Sequence, residues 1–373
     1  MYKKLTIVSD TAILKKDGIY YAFGPVVNEL ESFEHLFDEI TWIGFNRPDK
    51  KDDLSMKAIT STKVTVIALQ EIGGKTLFSS LKILLRYPVM FFIIFKNILK
   101  ADVVHTRAPS HPAFIAVLIS FLVRNKIWWH KFAGSWDAGS LPFFYRIQKN
   151  VLSKAKHTKV TINGFWENQP KHCLSFENPC LSNEDIKKGK IIAGSKNFSP
   201  PFVFSFVGRL ENAKGTDRII EALQGIPLES IEKVHLIGDG PSKASYQAAA
   251  AFLGDKVVFH GFLDKEKVHE LLSRSHFLLL PSNSEGFPKA IAEGACYGAI
   301  PVVSGVGSIS HYITGQNGFL WDINGNIPYT SVLQKAIQTE ESRLKEMATN
   351  VLELAEKFTF DNYIAQLQQQ LFN

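Results

Sequence analysis

The sequence predicts an α/β chain of two domains, each a parallel sheet with helices on its faces. Three observations carry that expectation. Short apolar runs alternate with helix-length stretches through both halves of the chain. At 373 residues the chain exceeds what one ordinary core encloses. Residues 178–199 are polar, hold Pro179, Gly189, Gly194 and Ser195, and lack strong periodicity, which marks a boundary. The expected domains are 1–185 and 198–355, followed by a closing helix at 356–373 that returns to the first domain.

In the first half the expected strands are 5–8, 40–44, 64–68, 103–105, 127–132 and 159–162, with helices at 77–87 and 112–123 between them. Parallel strands need such crossovers. Residues 81–96 are nearly all apolar, with Lys82, Arg86 and Lys96 at intervals and Pro88 at the centre. Two core helices broken at Pro88 would read this way. So would a helix lying in a membrane surface.

In the second half, strands are expected at 202–207, 234–237, 257–259, 277–280, 300–303 and 318–321. Helices are expected at 216–223, 244–253, 265–273 and from Pro288 to near Gly298. Pro suits a first helical position because its missing N–H would have had no partner there. Residues 331–372 have a helical pattern and feed no further strand.

Composition narrows the partners. Three cysteines, Cys173, Cys180 and Cys296, make no disulfide framework and no metal-binding pair, which suits a reducing cytoplasm. No apolar signal core follows Met1, so secretion is not expected. The apolar run 112–123 is too short to span a bilayer. The net charge of +6 is concentrated before residue 180, and the balance after it is acidic. The lysines are scattered without aromatic interleaving, so a membrane surface or a phosphate-bearing substrate suits them better than nucleic acid.

Several turns carry chemistry. Gly208-Arg209-Leu210 follows a buried strand, and Lys214-Gly215 precedes a helix. An arginine fork and a lysine point charge at one sheet edge suit a diphosphate. Gly238-Asp239-Gly240-Pro241 is not a dinucleotide fingerprint, because Lys243 stands where a glycine is required. Gly73-Gly74-Lys75-Thr76 fails as a phosphate loop because Leu69 replaces its first glycine. His260-Gly261-Phe262 closes a strand and would admit a planar ring. In the loop Asn283-Ser284-Glu285-Gly286-Phe287 and the helix after it, Glu285 and Glu293 form a carboxylate pair. Such a pair suits either glycoside hydrolysis or the binding of sugar hydroxyls. No Asp-x-Asp occurs in the chain, so no metal-bridged diphosphate is expected. In the first half, Gly24, His105, Arg107, Lys131 and Gly134, with Ser135 and Asp137, lie at or past strand ends and are candidates to meet an acceptor.

The ordered series GRL…KG, IGDGP, HGF, PSNSEGFPKAIAEGACYGAIPVV and NGFL, over about residues 203–321, resembles the retaining glycosyltransferases of family 4. The resemblance implies the GT-B fold, two Rossmann-like domains facing across a cleft, and a nucleotide-diphosphate-sugar donor. It implies that Arg209 and Lys214 hold the diphosphate, that Glu285 meets the sugar and that Glu293 meets the ribose. Gly208 and Lys289, with the backbone N–H groups of Gly286 and Phe287, would complete the donor site, with His260, Gly261 and Phe262 beside the base. Many members carry a first-domain histidine at the place held here by Ala133-Gly134, and His130 lies three residues earlier. The implied reaction is sugar transfer to an acceptor hydroxyl with retention and without a metal, in surface polysaccharide or glycolipid synthesis. Epimerase, phosphorylase and non-catalytic nucleotide-sugar binding are the alternatives. The implied setting is the cytoplasm or the inner membrane face.

Overall fold

The computed structural model describes residues 2–50, 55–70, 77–134, 136 and 141–372. Ser135, Asp137 and the Gly73–Thr76 decoy lie outside the described residues. The chain divides into two compact units, Met1–Phe176 with Ile364–Asn373, and Glu177–Tyr363.

The first unit begins with the long strand β1 (Tyr2–Lys16), then β2 (Ile19–Phe23), α1 (Gly24–Phe33), β3 (Phe37–Asn46), β4 (Met56–Ala58) and β5 (Val64–Gln70). It continues through α2 (Leu77–Lys100), β6 (Val103–Ala108), α3 (His111–Ser120), β7 (Ile127–Phe132), α4 (Phe143–Lys154), β8 (Lys159–Ile162) and β9 (Cys173–Ser175). The parallel core runs β5-β3-β1-β6-β7-β8-β9. Strand β1 is central because it pairs with β3 on one side and β6 on the other. Past Val8 its register on β3 shifts, and Ile13–Lys16 folds back antiparallel on β2. The hairpin turn is Asp17-Gly18, both at positive φ (50° and 82°). Two such residues make the tight turn that matches strand twist.

The second unit contains α5 (Asn183–Ser195), β10 (Phe202–Val207), α6 (Thr216–Gln224), β11 (Ile231–Ile237), α7 (Lys243–Ala249), β12 (Val257–Gly261) and α8 (Lys265–Arg274). After these come β13 (Phe277–Leu280), α9 (Lys289–Ala295), β14 (Ile300–Ser304), β15 (Phe319–Trp321), α10 (Tyr329–Gln338) and α11 (Glu341–Ala355); the last helix, α12 (Phe360–Gln370), starts here and belongs to the first unit from Ile364 on. Its strands are all parallel, in the order β12-β11-β10-β13-β14-β15. Phe204 of β10 stacks on Phe277 of β13 at 5.6 Å, so the two strands that begin the sheet's halves share one core. Residue Phe372, past α12, packs edge-on against Phe37 and Trp129 of the first unit.

Four expectations change. The polar stretch at 178–199 is no linker: it holds α5, started by a capping box in which Ser182 and Asp185 satisfy each other's amides. Helix α2 runs through Pro88 rather than breaking there. Met90, Ile94 and Ile98 continue its buried face past the proline, and their burial offsets the lost hydrogen bond. Residue Pro288 is the cap of α9 rather than its first residue, and that helix ends at Ala295. The helix expected over 244–253 ends at Ala249, and Ala251–Lys256 follows as a tighter turn.

Candidate functional site

In the second unit the chain winds outward from β10 to β12, then returns to the other side of β10 to lay down β13. Strand order therefore reverses between β10 and β13, and open parallel sheets bind ligands at the carboxyl ends of such strands. The turns carrying Arg209, Lys214 and Glu285 all follow those two strands.

The turns are laced together through backbone. Gly208 N–H donates to Ile237 O at 3.0 Å, Leu210 N–H to Asp239 O at 3.0 Å, and Gly238 N–H to Gly261 O at 2.8 Å. A Cβ at Gly238 (φ +131°) would lie 1.9 Å from Gly208 O, so only glycine allows this approach. The weak motif Gly238–Pro241 thus acts as a brace beneath the Gly208–Leu210 turn. Across the reversal, Asn283 N–H donates to Ala213 O at 2.9 Å, and the Gly215 turn packs on Pro281.

Lys214 and Glu285 meet directly, Nζ to Oε1 at 2.7 Å, with side chains 30% and 9% exposed. The lysine stays anchored yet reaches the surface. Arg209 points outward at 66% exposure, its Nε 3.1 Å from Glu211 Oε2. The Glu285–Phe287 loop is braced from behind: Ser308 donates to Gly286 O through both its amide (3.0 Å) and its hydroxyl (2.9 Å). Among the described residues, the N–H groups of Gly286 and Phe287 have no acceptor. The ring of Phe287 itself is buried, stacked on Phe358 at 4.5 Å. Lys289 is the first residue of α9, and Glu293 lies one turn further, half-buried. Burial raises the Glu293 carboxyl above its usual pKa, while Lys289 beside it opposes the shift.

At the end of β12, His260 Nε2 lies 3.0 Å from His235 Nδ1. Partial burial lowers the pKa of His260. Gly261 takes a positive φ of 71°, and the Phe262 ring is left exposed beside it. Glu211, His235 and Ser308 were not foreseen. Ser308 follows Gly305-Val306-Gly307, a glycine-rich strand exit that signals close backbone approach.

The first unit has the same reversal, between β1 and β6. A cavity of about 410 Å³ opens there, lined among others by Asp10, Thr11, Phe23, Arg107 and Ala133. The crevice around Asp10 raises its carboxyl pKa through desolvation. Arg107 and Lys131 are drawn together by Glu29 of α1, at 2.9 and 2.6 Å from its Oε1. Glu29 is buried and was missed, because no local pattern marks a carboxylate on an apolar helix face.

Four first-half candidates do not line the cavity, and Lys131 is the first of them, buried against Glu29. His105 is in the core, stacked on Trp129 at 3.7 Å, and burial holds its pKa well below the ordinary value. It shares a strand with Arg107 but sits two residues deeper, under Phe33. Gly24 starts α1 rather than a loop, and its amide donates to Ser55 O at 2.8 Å. Gly134 lies just past β7 but does not line the cavity, and its neighbour Ala133 does. His130 faces the opposite side of the sheet, its Nδ1 2.8 Å from Thr106 Oγ1.

Residues 187–352 match the family model described as Glycosyl transferases group 1. An uncharacterized glycosyltransferase, YqgM of Bacillus subtilis, is 28% identical over 252 residues, 64% of this chain and 63% of the relative. The lipopolysaccharide 1,6-galactosyltransferase of Salmonella typhimurium is 26% identical over 195 residues, 51% of this chain and 53% of the relative. The matched stretches thus span less than two thirds of either relative's length. Among solved structures, Anabaena Alr3699/HepE in complex with UDP-glucose superposes over 100% of both chains with a TM-score of 0.68 and 17% identity. The chain therefore has the GT-B fold, and residues 187–352 of its second unit resemble the glycosyl transferases of group 1.

Proposed function

We propose that the protein is a retaining glycosyltransferase that moves a sugar from a nucleotide-diphosphate sugar to an acceptor hydroxyl. Pairing of Lys214 with Glu285 at the β10–β13 reversal carries this reading. It sets a cation and a hydrogen-bond acceptor side by side where the fold binds ligands. Lys214 and Arg209 would neutralise the departing diphosphate, which is usually the largest electrostatic contribution in such sites. Glu285 would accept from sugar hydroxyls, and the N–H groups of Gly286 and Phe287 would donate to them. Glu293 would take the ribose. The open ring of Phe262, with His260 and Gly261, would flank the base.

In the transfer, the bond from the anomeric carbon to the diphosphate oxygen breaks as the acceptor oxygen bonds the same face. The acceptor proton passes to the departing diphosphate oxygen. Two cations and no Asp-x-Asp support a diphosphate held without a metal. Asp10 and Arg107 in the first-unit cavity suit an acceptor with hydroxyl or anionic groups. Its synthetic context would be a surface glycan or glycolipid, in line with the name of the Salmonella relative.

The test is a thermal-shift screen with UDP-, GDP- and ADP-sugars, followed by assay of nucleoside diphosphate release with candidate acceptors. Stabilisation by one donor class and acceptor-dependent release support the reading. Tight binding without release across acceptors would favour a non-catalytic binder, the reading that Ala133 at the histidine position suggests. Release that requires orthophosphate would point to a phosphorylase.

A further inference from the structure

Helix α2 presents an unusual outer face. Its inner residues Met90, Ile94 and Ile98 are buried with Ile115 and Ile119 of α3. Its outer residues are also apolar: Val89, Phe91, Phe92 and Leu99 are exposed, Phe92 by 67%. At 100° per residue, Phe91, Phe92 and Leu99 lie on one side, and Lys96, Lys100 and Arg86 follow along the adjoining edge. The helix contains no Asp or Glu in its 24 residues. Just past the end of α3, Leu122 is an apolar side chain that is 76% exposed. Lys126 Nζ donates to Leu99 O at 3.1 Å.

We propose that this face docks on the surface of an anionic lipid bilayer. An exposed aromatic and aliphatic strip with a cationic border is what lies in the plane of a membrane interface, its apolar side in the acyl boundary and its cations on the headgroups. Among the described residues no helix is long and apolar enough to cross a membrane, so the contact is peripheral. A second copy of the chain fits less well. A two-fold contact places each patch on itself, bringing Lys96 and Lys100 against their own counterparts with no carboxylate on the helix to pair them. Lipid phosphates supply the missing negative charge. The inference stands apart from the proposed activity, because lipid binding is read without substrate.

The test is co-sedimentation of the full chain with vesicles of phosphatidylcholine mixed with phosphatidylglycerol, and with vesicles of phosphatidylcholine alone. Wild type should bind the mixed vesicles and release on raising salt. The double variant Phe91→Ser/Phe92→Ser should lose roughly tenfold or more in partitioning. Lys96→Glu/Lys100→Glu should lose the preference for the anionic lipid by a similar factor. Thermal midpoints should stay near wild type, since the replaced side chains are exposed. Absence of wild-type binding, or equal binding by both variants, overturns the proposal. So does a wild-type dimer in gel filtration that Phe91→Ser/Phe92→Ser dissociates without changing lipid binding, which would make the face a contact between copies.

Discussion

Lys214 Nζ lies 2.7 Å from Glu285 Oε1, an ion pair that joins the turn after β10 to the loop after β13. These residues are 71 positions apart in sequence, yet the reversal of strand order makes their turns neighbours. In this account the lysine is held in place by the carboxylate and supplies charge to the diphosphate. Lys214→Ala should therefore lower kcat on the order of 10²-fold or more. Wild-type turnover in that variant would remove the lysine from the reaction.

The loop that carries Glu285 depends on a glycine. A Cβ at Gly307 (φ +57°) would sit 1.9 Å from Glu285 O. Gly254 has nearly the same φ, +55°, but open space around its missing side chain. Gly254 pairs that φ with a ψ of −127°, outside the left-handed α region, so Gly254→Ala should cost about 1–3 kcal/mol from backbone strain alone. Gly307→Ala should cost more and also weaken donor binding, because the loop must shift. Urea denaturation of the two variants separates these contributions, and equal losses would show that the close approach is relaxed at no cost.

Buried charge in the first unit makes a separate test. Removing the Glu29 carboxylate by Glu29→Ala takes one shared counter-charge from Arg107 and Lys131. A loss of about 3–5 kcal/mol is expected from breaking a buried ion cluster at one partner. Chemical denaturation checks it, and a loss below about 1 kcal/mol would mean that the two cations find water.

Acid should destabilise the protein through its buried histidines. Burial drives His130 from 6.5 down to about 3. The folded protein therefore resists a proton that the unfolded chain accepts, so this stability is present above pH 6.5 and falls as pH drops toward 3. Between about pH 6 and 4 the slope from one such group is about 1.4 kcal/mol per pH unit. His130→Asn, measured by urea denaturation from pH 7 to 5, should show a slope smaller by about one proton. An unchanged slope would mean that His130 is protonated in the fold.

What the residues disclosed before the structure follows from how local each signal is. Strand runs such as Phe277–Leu280 and the glycine-bounded turns after them are written in four to eight adjacent residues, and they were legible. So was the clustering of Arg209, Lys214 and Glu285 at one sheet edge, because each follows a recognisable strand. Glu29 was not, since its meaning depends on Arg107 and Lys131, far along the chain. His105 misled for the same reason: its position at an expected strand end suggested a place in the cleft, but the strand runs on to Ala108, and Phe33 and Trp129 enclose the ring. Two local signals went unread. Ser182 and Asp185 spell a helix cap inside the supposed linker, and Asp17-Gly18 spells a hairpin.

Donor binding by wild type and Lys214→Ala, measured side by side, asks whether the β10–β13 reversal holds the donor. One nucleotide-sugar class should raise the thermal midpoint of wild type and do so far less for the variant. Equal stabilisation of both proteins, or stabilisation of neither by any UDP-, GDP- or ADP-sugar, would contradict a donor site at the β10–β13 reversal.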